Sequence, residues 1–149
     1  MNLEKIIREY LPETVHLSLA TSANDKPWVC EVHFAYDDDL NLYFFSTTDR
    51  RHCEELRNNK FVAGNIVKQH AMGEKPCGVY FEGEAEQLEN IDENHIAYKT
   101  YAQRYPNFSH WANLGDGGRL YKISVNDYYV FDVTGKVQPP GKHHLPWGK

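Results

Sequence analysis

Cysteine is scarce in this chain, and nothing pairs it. The 149 residues hold three, Cys30, Cys53 and Cys77, an odd number without CxxC spacing. That argues against a disulfide framework and a structural zinc site, and for a reducing compartment. Positive charge is also in deficit. Sixteen Lys and Arg stand against 21 Asp and Glu, for a net charge of −5, and no basic run exceeds two residues. Phosphate-backbone binding needs clustered cations, so no nucleic-acid partner is expected. Long apolar runs are missing too, and the opening MNLEKIIREY is charged and amphipathic rather than a secretory leader. The expectation is a soluble, cytoplasmic protein with no membrane partner. No Gly-rich phosphate loop, HExxH motif or Ser–His–Asp context occurs.

What is present is an ordinary globular composition, 41% hydrophobic and 25% charged, in a chain sized for one domain. Leu3, Ile6, Ile7, Tyr10 and Leu11 recur at helical spacing and predict a short helix ending near Pro12. VHLSLA, PWVCEVHFAY, LYFFS, FVAGNIV, GVYFEGEAEQL, RLYKISV and YYVFDV read as strands, the last two joined by a hairpin turn at Asn126–Asp127. TSANDK and DDDLN read as turns, and KQHAMGEKPC and NFSHWANLGDGG as loops. Asn90 with Glu93 three residues later suggests a capped helix whose tyrosines, Tyr98, Tyr101 and Tyr105, form a packing stripe up to Pro106. The tail from Gly135, rich in Pro, Gly and Lys, predicts no regular structure. Short strands with tight turns, and helices only in the gaps, suggest a closed antiparallel barrel.

One stretch carries chemistry. In STTDRRHCEELRNN, residues 46–59, Ser46, Thr47, Thr48 and Asp49 suit a helix start, yet Arg50, Arg51 and His52 follow where acidic residues are favoured. A bound phosphate would reconcile the two; a capped surface helix with solvated arginines accounts for the same residues. His33 in its strand reads as partly exposed. His143 and His144 lack further ligands at metal-binding spacing, and Glu82, Glu84 and Glu86 read as a solvated strand face.

These segments occur in the order PWVCEVHFAYDDDLNLYFFSTTDRRHCEELRNNKFVAGNI, then GVYFEGEAEQL. That order resembles the pyridoxamine 5′-phosphate oxidase-like FMN-binding split barrels. The resemblance rests on Phe44-Phe45, Ser46-Thr47, Arg51-His52, Leu56, Asn59 and Val62-Ala63, then on Val79, Glu82, Gly83, Ala85 and Glu86. It spans about Val15 to Val133. It implies a mainly β, single-domain split barrel of six to seven strands over residues 1–135, with an irregular tail at 136–149. It also implies FMN as cofactor, with its phosphate on Ser46, Arg51 and His52 and its ring along Val32, His33 and Phe34. Phe45 and Thr47 belong to the same site, which two subunits of a homodimer share. Departures from the oxidases stand at Cys30, Ala35, His52 and near Gly78, and the substrate-gripping C-terminal segment is missing. The implied function is a flavin-dependent oxidoreductase of another substrate, with no general acid or base singled out. The alternative is a non-catalytic protein that stores or senses flavin, or holds haem. In either case Trp147 could lie across the flavin ring, or the tail could be inert.

Overall fold

The computed structural model describes residues 1–114 and 116–148; Gly115, in the glycine-rich loop, and Lys149, at the end of the tail, lie outside the described residues. Helix α1 (Leu3–Tyr10) starts at Asn2, whose side chain accepts from the Lys5 amide, and buries Ile7 and Tyr10. A 3-10 turn, Leu11–Glu13, carries Pro12 and ends the helix. Strands β1 (His16–Ala23) and β2 (Lys26–Tyr36) follow. Their hairpin turns on Asn24 and Asp25, both with positive φ, which these two residues tolerate better than most. Next come β3 (Leu42–Thr47), α2 (Arg51–Asn58), β4 (Phe61–Ile66) and β5 (Cys77–Gln87). The chain closes with α3 (Ile96–Arg104), α4 (Phe108–Trp111), β6 (Gly118–Asp132) and β7 (Gly141–Pro146).

The seven strands form one antiparallel sheet in the order β3-β2-β1-β4-β5-β6-β7, and a further β3–β6 pairing closes it into a barrel. Inward residues of alternating strands fill the interior, among them Leu17, Leu19, Phe34, Phe44, Phe81 and Ile123, none more than 1% exposed. Each such side chain contributes about 1.5–3 kcal/mol on burial, so the barrel interior is the main source of stability. A smaller apolar cluster outside the barrel packs Ala97, Tyr101 and Phe108 of α3 and α4 onto Ala35, Tyr43 and Leu120.

The structure corrects several sequence expectations. Asn126–Asp127 is not a hairpin turn, because β6 runs unbroken through it. The register against β5 passes from Glu82↔Asp127 to Gly83↔Val125, which leaves Asn126 as the extra residue of a bulge. The bend divides β6 between two neighbours: residues 118–123 pair with β3, and residues 127–132 pair with β7. The tail is therefore not irregular, since Gly141–Pro146 is the seventh strand. Asn90 adopts positive φ and caps nothing; the helix begins at Ile96, with the His95 ring accepting from the Ala97 amide. The segment read as a loop before Gly118 contains α4.

Candidate functional site

β2 and β3 pair only at Phe34↔Phe44, Ala35↔Tyr43 and Tyr36↔Leu42. Beyond that point β3 follows β6, while β2 stays with β1. The split opens a groove of about 510 Å³, in the range of small-molecule and cofactor sites. Trp28, Cys30, Val32 and His33 form its β2 wall, and Phe45 and Ser46 its β3 wall. Arg50, Arg51 and His52 close one end, and Tyr101 and Trp111 reach in from α3 and α4. Phe34 N donates to Val15 O at 3.2 Å, and His33 lies opposite His16. The alternation of an antiparallel pair then turns the main-chain groups of Val29 and Glu31 away from β1, toward a side where no strand pairs with them. His33 O accepts from the Tyr101 hydroxyl at 3.2 Å.

The basic end is built with restraint. No side chain caps α2, whose N-cap is Arg50, so the first-turn amides and their partial positive charge remain for a ligand. Arg50 Nε donates to Thr47 Oγ1 at 3.1 Å. Arg51 Nε donates to Glu55 Oε2 at 3.0 Å, and its guanidinium lies 4.1 Å from the centroid of the Trp28 ring. His52 is 8% exposed, and its Nε2 is 2.9 Å from Ser46 Oγ. Burial, and then the Arg50 charge, push the His52 pKa below the ordinary histidine value. Two guanidiniums, an imidazole, a hydroxyl and an uncapped helix start make a donor set suited to a dianion such as a phosphate.

Of the sequence-nominated residues, Val32, His33, Phe45, Ser46, Arg51 and His52 line the groove. Phe34 and Thr47 do not. The Phe34 side chain is fully buried in the barrel, with Arg104 Cζ 4.6 Å from its ring centre, and Thr47 acts by holding Arg50. Trp147 lies elsewhere: its Nε1 donates to Asp39 O at 2.8 Å and its ring packs edge-on against Tyr128. It anchors the end of β7 rather than covering the groove. Sequence reasoning missed Trp28 and Trp111. Trp28 shares a strand face with Cys30 and Val32, but only the split exposes that face, and Trp111 sits in the segment read as loop. Cys30 is not a ready nucleophile, because burial pushes its thiol up to about 11. Among the described residues no three His, Cys, Asp or Glu side chains converge as metal ligands, and no helix is long and apolar enough to cross a membrane.

Fold and groove together define a single-domain split barrel with one strongly cationic end to its cleft. Residues 3–125 match the family model described as pyridoxamine 5′-phosphate oxidase, and the chain belongs to that family. A UPF0306 protein of Photorhabdus laumondii is 29% identical over 131 residues, 87% of each chain. Among solved structures, a heme binding protein from Mycobacterium smegmatis superposes with a TM-score of 0.80 at 16% identity, over 98% of this chain and 58% of that one. An FAD-binding protein from Mesorhizobium loti does so with a TM-score of 0.67 at 21% identity, over 86% and 91%. At these identities the likeness is one of fold.

Proposed function

We propose that the groove binds FMN and that the protein is a flavin-dependent oxidoreductase whose substrate differs from that of the pyridoxamine phosphate oxidases. The observation that carries this reading is the cationic start of α2, with Ser46, Arg51 and His52 around it at the end of a cleft of about 510 Å³. In this reading Arg51 and the first-turn amides hold the phosphate, His52 and Ser46 add donors, and the outward main-chain groups of β2 meet the polar edge of the ring. FMN supplies the electron chemistry when bound, while the chain anchors it, fixes its exposed face and excludes water. The ring does not depend on Phe34, whose side chain faces the core.

The test is flavin titration of the purified protein, followed by reduction with NADH or NADPH. FMN should bind, and the bound flavin should be reduced and then reoxidised by air. Arg51→Ala should weaken FMN binding by about 2–4 kcal/mol, through loss of a charge-assisted contact, and riboflavin binding far less. Equal loss for both flavins would overturn the phosphate clamp. Bound flavin that resists every reductant would make the protein a carrier or sensor, and a Soret band without flavin binding would replace FMN by haem.

A further inference from the structure

Behind Arg51 lies a carboxylate that does not line the groove. Glu55 is on the inner face of α2 and only 9% exposed. Its Oε1 accepts from Thr21 Oγ1 at 2.6 Å, and Thr21, on β1, is 3% exposed. Its Oε2 accepts from Arg51 Nε at 3.0 Å. Trp28, from β2, supports the guanidinium from its face at 4.1 Å. An i,i+4 ion pair on a helix surface needs neither a buried hydroxyl nor an aromatic shelf and contributes little. Here the carboxylate is withdrawn from water at some cost and fixed to the barrel wall. One edge and one face of the Arg51 guanidinium are thereby held, and among the described residues no hydrogen bond is made by Nη1 or Nη2.

We infer that Glu55 is a positioning residue, held by Thr21, that orients Arg51 so that the groove selects ligands bearing a phosphate. The inference rests on the phosphate-clamp reading above. An unrestrained arginine loses rotamer freedom only when the ligand arrives, whereas this one has lost it on folding. Electrostatics acts in the opposite direction. A carboxylate near a bound dianion repels it, so neutralising Glu55 would tighten phosphate binding if charge were all that mattered. The sign of the effect therefore separates the two roles.

The experiment measures FMN and riboflavin dissociation constants at pH 8, where His52 is neutral, for wild type, Glu55→Gln, Thr21→Val, Arg51→Ala and Glu55→Gln/Arg51→Ala. Glu55→Gln and Thr21→Val should each weaken FMN binding by on the order of ten-fold, while riboflavin stays within about two-fold. Glu55→Gln should add nothing once Arg51 is gone. Thr21→Val keeps shape and charge, so it supports the same conclusion without altering the field. FMN binding unchanged or tighter in Glu55→Gln would overturn the role, as would equal loss for both flavins or a loss that persists without Arg51. A wild type that shows no preference for FMN over riboflavin would overturn the clamp itself, and this inference with it. A preference that keeps its full wild-type size in both single variants would overturn the positioning role alone.

Discussion

His52 is held by two opposing demands. Burial and the nearby Arg50 keep it neutral in the ligand-free protein, whereas a phosphate beside it would favour the imidazolium. Binding should then take up a proton, so FMN affinity should rise as pH falls below about 6.5, the ordinary histidine value. The phosphate also titrates near pH 6, so the informative quantity is the difference between wild type and His52→Gln, in which only the ligand's own slope remains. Stability without ligand has the opposite sign. The unfolded histidine protonates near pH 6.5 while the folded one resists, so this contribution is present above that pH and is lost as pH falls toward the lower folded value. Titration of affinity and denaturation midpoint in both proteins checks the two slopes together. Identical slopes in wild type and variant would leave His52 as a bystander.

The connection from β6 to β7 shows how one side chain can hold an element in place. Asp132 is completely buried. Its Oδ2 accepts from the amides of Gly135, Lys136 and Val137 at 3.1, 2.7 and 3.2 Å, and its Oδ1 accepts from Thr134 Oγ1. Burial alone would raise its pKa; the hydrogen bonds outweigh burial and bring it from 3.8 to about 2. A folded pKa below the unfolded one stabilises the fold above the unfolded value, here by about 2 kcal/mol, and that contribution disappears as pH falls from about 4 to about 2. Asp132→Asn should therefore cost about 2 kcal/mol at pH 7 in urea unfolding, and its deficit should close toward pH 2. A deficit that does not change with pH would mean that shape, not charge, holds the turn.

For the whole molecule, the outer face of β2-β1-β4 is conspicuous. Val29 stands across from Ala20, and Ala20 across from Ala63, with Phe61 two residues further along the same face of β4. Val29 is 59% and Phe61 62% exposed, on the side of the barrel from which the groove's β2 wall arises. We expect this face to be covered by a second copy of the chain, placing each groove at a subunit boundary. Sedimentation should give a dimer for wild type and a monomer for Val29→Glu/Phe61→Glu, with weaker FMN binding in the monomer. A wild-type monomer that binds FMN tightly would exclude the shared site.

The residue order by itself determined the first five strands, the opening helix and the cationic helix start, because period-two alternation and a basic pair after hydroxyl residues are local signals. It also determined the family, since Ser46, Arg51, Leu56, Asn59 and the Val79–Glu86 strand keep order and spacing together. What only the tertiary structure decided is where those signals meet. Asn126–Asp127 has turn chemistry, but pairing with β3 on one side of the bend and β7 on the other keeps β6 continuous, so the turn signal became a bulge. The Pro- and Gly-rich tail has no strand periodicity, yet the edge of residues 127–132 that lies away from β5 offers main-chain hydrogen bonds that order it. Trp28 and Trp111 became groove walls because β2 and β3 separate after three residue pairs, a consequence of barrel closure through β6. Glu55 lies four residues after Arg51, but Thr21, 34 residues earlier, is the contact that holds it against the barrel, and only the fold brings the two together.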